Sequence, residues 1–132
     1  MSVTDSELRS CIDQSCALAD RGAIEDALDV LDHGLQAATS SGDARWAVLL
    51  ARHAAVIAEH AADVGRAVRY LELALQYRAD DIIALYAVAD LYGRLGDGAR
   101  ASECFLKCLE LSNAQHNLGM IELLAARGFR ID

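Results

Sequence analysis

Proline is absent from this chain, and aromatic residues make up only 5% of it although 54% is hydrophobic. Without proline, no segment is barred from continuing as a helix. With so few aromatics the apolar content is mostly Ala, Leu, Val and Ile, which suits closely packed helices rather than a β-sandwich. Cations are scarce too: 12 Lys and Arg stand against 20 Asp and Glu, for a formal net charge of −8. Binding to phosphate backbones needs clustered Lys and Arg, so neither nucleic acid nor an anionic membrane is expected as a partner. No apolar run approaches the length of a membrane span. The opening MSVTDSELRS has neither a basic leader nor an apolar segment behind it, so the expected location is cytoplasmic. Four cysteines, Cys11, Cys16, Cys104 and Cys108, form no CxxC pair and are expected as reduced thiols.

What is present is helical spacing between short polar breaks. At 132 residues the chain is expected to form one domain with a core of its own. Thr4-Asp5-Ser6-Glu7 has capping-box spacing, and Leu8, Cys11, Ile12, Ser15, Leu18 and Ala19 follow it at helical intervals until Gly22. Ile24, Ala27, Leu28, Leu31 and Leu35 make the next stripe, which ends at Thr39-Ser40-Ser41-Gly42. Asp43, Asp63, Asp80 or Asp81, and Asp97 are placed to cap four further helices, and Ser112 to cap a seventh that reaches about Arg127 before Gly128. Seven helices with very short connections predict stacked helical hairpins and no strand.

The stripes repeat. AVRYLELAL begins at Ala67 and ASECFLKCL at Ala101, 34 positions later. In LYAVADLYGRLGDGARASECFLKCLEL, Leu85 stands for a first Trp, Val88-Ala89 for Leu-Gly, Tyr92 for the Tyr, Gly96-Asp97 for the turn, and Ala101 and Phe105 for the Ala and Phe. On these residues the chain resembles the tetratricopeptide-repeat (TPR) family. The resemblance implies an all-α, right-handed superhelical stack of hairpins, with units over residues 5–39, 43–79 and 80–113 and a capping helix over 113–128. Small residues such as Ala89, Ala101 and Cys108 let backbones approach, while Tyr92 and Phe105 fill the space beside them. The first unit, with Ala27 at the repeat's Ala, precedes Ala67 by 40 positions. That surplus of six is expected as a longer loop near Thr39 to Trp46 and an extended third helix.

In the family, the first helix of each unit lines a concave face that holds partners. Carried onto the matching helices, the resemblance implies a groove of Ile12 and Cys16, then Leu49, Arg52, Val56 and His60, then Ile83, Tyr86, Asp90 and Arg94. Arg9, Ala19, Asp20, Glu59 and Gly93 fall on the same faces. An apolar seam flanked by both signs of charge suits an apolar or amphipathic segment of another protein. One subgroup of the family clamps acidic chaperone tails with Lys and Asn on this face. Ile12, Cys16 and Val56 stand at the positions that ligand needs, which argues against it.

Chemistry is not expected. No GxSxG, P-loop or strand-borne GxGxxG occurs. His53 and His60 are too far apart on one helix to chelate an ion directly, so they read as surface or groove histidines. Cys104 and Cys108 have i, i+4 spacing, but Cys108 fills the small position of the repeat. No metal, cofactor or catalytic residue is therefore expected. The leading reading is a protein-binding adaptor or scaffold. The alternatives are a small bacterial secretion-type chaperone with a TPR fold, or a regulatory TPR fragment of a larger protein. Self-association through exposed ends of the stack is a further expectation.

Overall fold

The computed structural model describes residues 4–130. Among the described residues it contains seven α-helices and no strand: α1 (Asp5–Asp20), α2 (Ile24–Ser40), α3 (Ala44–His60), α4 (Val64–Tyr77), α5 (Ile82–Arg94), α6 (Gly98–Ala114) and α7 (Leu118–Ala126).

The starts follow the capping chemistry. Thr4 Oγ1 accepts from the Glu7 amide, and the carboxylates of Asp43, Asp63, Asp81 and Asp97 accept from the amides three residues on. Each such cap is worth about 1 kcal/mol. At α2 the cap residue is Ala23 and no side chain caps, but Glu25 and Asp26 in the first turn favour the helix dipole.

At α7 the expected start is corrected. Ser112 does not open a helix; it lies fully buried inside α6, with its Oγ 4.0 Å from the Cys108 thiol, and Asn117 caps α7 by accepting from the Met120 amide. The reason is the turn between them. His116 takes a left-handed φ of 56°, so that the Asn117 amide reaches back to the Ser112 carbonyl at 2.8 Å.

The same closure ends six of the seven helices. The Ala23, Asp43, Asp63, Asp97, Asn117 and Phe129 amides each bond the carbonyl five residues back, and the residue before each amide has positive φ. This is the Schellman geometry. Glycine holds the left-handed position at 22, 42, 96 and 128, but Ala62 and His116 hold it in the other two turns. The end of α4 differs: Arg78 is extended and makes only a single bond back to Ala74.

The six-residue surplus has a different origin from the one expected. The α2–α3 connection is as tight as the others. Instead α2, at 17 residues, is three longer than α4, and α3, at 17, is four longer than α5. The three-residue α2–α3 linker is one shorter than the linker from α4 to α5, which leaves six. The extended third helix is present; the longer loop is not.

Contacts gather into two compact units, residues 1–79 and 80–132. In the first, α1 packs on α2, α2 on α3 and α3 on α4, and α1 also reaches α3. Leu8, Leu28, Leu31, Val48 and Leu50 are buried there among Ala27, Ala38, Ala51, Ala54, Ala58, Ala67 and Ala74. Each large side chain contributes about 1.5–3 kcal/mol by burial. The alanines set how closely the helices approach. Gly34 is the extreme case: a Cβ there would lie 3.2 Å from Cys11 Sγ and 3.3 Å from Leu50 Cδ1. Trp46 is buried and donates its indole N–H to Asp5 Oδ1 at 2.8 Å.

In the second unit α5 packs on α6 and α6 on α7. Leu85, Val88, Ala89, Leu91, Ala101, Phe105, Cys108, Leu109 and Leu124 form its core. The Cys108 thiol donates to the Ile82 carbonyl at 3.4 Å, and burial pushes its pKa up. Among the described residues no helix is long and apolar enough to cross a membrane.

Candidate functional site

In the first unit, α1 and α3 present a face on which the spacing of α3 decides what is left in solvent. Trp46, Ala47, Leu50, Ala54, Ile57 and Ala58 turn inward. Leu49 and Val56, seven positions apart and so on one line of the helix, remain 41% and 49% exposed. Arg52 and Glu59 are half-buried near this line and His60 is exposed.

Beside Val56 a cavity of about 270 Å³ opens, walled by Cys16, Ala19 and Asp20 of α1, Ile24 at the start of α2, and His53, Val56, Ile57 and His60 of α3. It therefore unites Cys16, Val56 and His60 of the residues named from sequence, with Ala19 and Asp20. Ile12, Leu49 and Arg52 lie outside its lining. Ile12 is half-buried, and its carbonyl accepts from the buried Ser15 hydroxyl at 2.8 Å.

His53 is the member that the carried-over face omits. It is read from sequence as a surface or groove histidine, and it lies one helical turn past Leu49 and inside the cavity. Its Nε2 is 3.2 Å from Cys16 Sγ, and burial lowers its pKa below 6.5. Cys11, also on α1, points elsewhere. It packs against Gly34, and burial, helped by the charge on Glu7, raises its pKa.

A larger cavity, about 640 Å³, lies between α2 and α4. Much of its polar lining is already paired across it. Arg66 Nη1 donates to Glu25 Oε1 at 3.0 Å, and the Tyr70 hydroxyl donates to Asp32 Oδ1 at 2.7 Å. Burial and the Asp32 bond hold the Tyr70 hydroxyl well above the usual phenol range. These are ties between helices, and size alone does not make the space a site.

In the second unit α5 carries Ile83, Tyr86, Asp90 and Arg94. Ile83 is 52% exposed. The other three are bound into a cluster. Arg94 Nη2 pairs with Asp90 Oδ2 at 3.0 Å, one turn along the helix. Arg127, which follows α7, donates from Nη2 to Asp90 Oδ1 at 2.6 Å and from Nε to the Tyr86 hydroxyl at 2.7 Å. Its guanidinium carbon stands 5.1 Å from the ring centroids of both Tyr86 and Phe105. The Tyr86 ring meets Phe105 edge-on at 5.6 Å, and Phe129 lies against Phe105 at 4.9 Å. Tyr86 and Asp90 are thus engaged by the chain's own Arg127. No pattern on α5 signals this, because Arg127 lies 41 positions from Tyr86 and 37 from Asp90.

Among the described residues no group of three or more His, Cys, Asp or Glu is placed to hold a metal ion. What the first unit offers is apolar contact, hydrogen bonding and one thiol–imidazole pair.

No family profile matches the chain. A curated TPR repeat-containing protein of Methanocaldococcus jannaschii is 37% identical over 60 residues, 46% of this chain and 18% of that protein. The chain thus matches less than a fifth of that relative's length. Among solved structures, the TPR domain of Arabidopsis FLU superposes with a TM-score of 0.69 at 20% identity, over 83% of this chain and 97% of that one. At that identity the likeness is one of fold, and it agrees with the repeat read from residues 67–109.

Proposed function

We propose, for a chain that has the tetratricopeptide-repeat fold, that it is a protein–protein interaction module whose α1/α3 face grips an apolar or amphipathic segment of another protein. The observation that carries this reading is the line of Leu49 and Val56, large apolar side chains left in solvent on α3 while the same helix buries Trp46, Val48, Leu50 and Ile57. Arg52, Glu59 and His60 flank that line, which suits a segment with apolar anchors and polar groups between them. On this reading the chain is a non-catalytic adaptor or scaffold of the cytoplasm. In the second unit, taken by itself, Ile83 on α5 is likewise an exposed apolar side chain.

The test is capture of partners by the wild-type chain and by Leu49→Asp and Val56→Asp variants, followed by mass spectrometry and titration of the captured partner. Both side chains are exposed, so the melting curves should stay unchanged. Binding should weaken by about 2 kcal/mol or more where an anchor is lost. A partner held equally well by the double variant would place its docking surface elsewhere.

A second reading is favoured by α7, which leaves Leu118 71% and Leu123 51% exposed. Self-association through that helix accounts for their exposure. Sedimentation of Leu118→Glu against wild type tests it, with loss of an oligomer as the supporting result.

A further inference from the structure

We propose that Cys16 and His53 form a thiol-modification site, which takes small neutral or cationic disulfides and electrophiles at the cavity between α1 and α3. The pair is built by two helices. Cys16 comes from the fourth turn of α1 and His53 from the middle of α3, 37 positions apart, and they meet with Sγ 3.2 Å from Nε2. Cys16 is exposed, so a reagent reaches its sulfur without opening the fold.

Three features make this thiol unlike the other three. First, it faces an imidazole at hydrogen-bonding distance. The partial burial of His53 disfavours its charged form, which keeps the ring neutral at neutral pH. With the ring proton on Nδ1, Nε2 accepts the proton that Sγ gives up. Second, the sulfur borders a cavity of about 270 Å³ with Ala19, Ile24, Val56 and Ile57 as apolar walls. That holds one small half of a disulfide and excludes bulky ones. Asp20 and His60 are the other titratable groups in the lining, and a carboxylate there, on a chain of net charge −8, favours a cationic over an anionic reagent. Third, the remaining thiols are shielded: Cys108 is buried and bonded to the Ile82 carbonyl, Cys11 is half-buried against Gly34, and Cys104 is half-buried.

The exchange step balances within these groups. Cys16 Sγ–H passes its proton to His53 Nε2, and the sulfur attacks one sulfur of the incoming disulfide. The new S–S bond forms as the old one breaks, and the departing thiolate takes the proton back from the imidazolium. One thiol and one disulfide become one mixed disulfide and one thiol. Cys16 is oxidised, the reagent's leaving half is reduced, and no outside oxidant is needed. The site needs no bound partner, so it stands or falls apart from the groove reading above.

The experiment uses cystamine as a small cationic disulfide and iodoacetamide as a neutral electrophile, each limiting, on the full chain at neutral pH, with peptide mapping by mass spectrometry. The first equivalent should fall on Cys16 with both reagents. General-base help is worth roughly 10²–10⁴ when well placed, so native Cys16 should react at least about tenfold faster than the same residue in the urea-unfolded chain. A thiol that is merely exposed gains nothing from folding. His53→Gln, with an unchanged circular-dichroism spectrum, should remove that advantage. The proposal is overturned if the first equivalent lands on another cysteine, if folding does not accelerate Cys16, or if a folded His53→Gln variant keeps the wild-type rate. The unfolded-chain comparison decides the matter even where that variant fails to fold.

Discussion

Replacing Arg127 by Ala removes a side chain that ties the end of α7 to α5, and the size of the effect follows from its contacts. The guanidinium gives one hydrogen bond to the Tyr86 hydroxyl, one ion pair to Asp90 and a stack against two rings. A charge-assisted hydrogen bond is worth about 1.5–3 kcal/mol when dry. Here the Arg127 side chain is 39% exposed and that of Asp90 23%, so solvent screens both. The ion pair then belongs with surface pairs at about 0–1 kcal/mol, and each ring contact at about 0.5–1 kcal/mol. With the partly wet hydrogen bond to Tyr86 at about 1 kcal/mol, the lower ends together give about 2 kcal/mol, or roughly a thirtyfold change in an opening equilibrium. Amide hydrogen exchange under native conditions reads that equilibrium directly. Amides from Ile121 to Phe129, including the Phe129 amide that bonds the Leu124 carbonyl, should exchange about thirtyfold faster in Arg127→Ala. Arg127→Lys keeps the charge opposite Asp90 but loses the planar fork, and should fall between the two. A cycle of Arg127→Ala with Tyr86→Phe should show coupling of about 1 kcal/mol. Exchange in α7 unaltered by Arg127→Ala would refute the view that this residue closes the Tyr86 face.

Phe105 is 5% exposed and touches both Tyr86 and Phe129, so Phe105→Ala should cost about 3–5 kcal/mol in urea unfolding, while Gly34→Leu should destabilise the first unit through its collision with Cys11 and Leu50. Ala62→Gly should stabilise by about 1 kcal/mol, because alanine at φ 62° brings its Cβ too close to the following carbonyl oxygen. His116→Gly should gain less, since histidine tolerates that region better; a loss of stability in both would contradict the turn assignment. Burial lowers the His53 pKa from 6.5, so the unfolded chain takes up its proton first as pH falls, and stability should drop below about pH 6.5 until the folded value is passed. His53→Gln should flatten that part of the stability profile, and an unchanged slope would refute the sign.

The helices were legible because their signals are local. A capping Asp and an apolar stripe lie within one or two turns of each other, and Asp43, Asp63 and Asp97 open helices where their spacing predicts. The start of α7 was less legible because its turn uses His116 at positive φ, where no glycine marks the break. Ser112 looks like a cap in sequence, and only packing shows it as a buried residue against Cys108. The candidate site was legible in half. The resemblance to the repeat family placed Cys16, Val56 and His60 in one groove, and all three line the cavity between α1 and α3. It missed His53, which the repeat pattern leaves unassigned, and the hold of Arg127 on Tyr86 and Asp90, which depends on where a turn delivers a side chain from far along the chain.

The helix lengths bear on how a gene for this chain can vary. α2 exceeds α4 by three residues and α3 exceeds α5 by four, each close to one helical turn. The buried stripe therefore keeps its direction across the difference. An insertion or deletion of three or four codons within one of these helices returns the apolar face to its neighbour. One of a single codon rotates everything beyond it by about 100°, which turns alanines outward and charges inward. Length variants of such hairpins are accordingly expected to cluster at whole turns, and the 40-residue spacing of the first two units is one such variant.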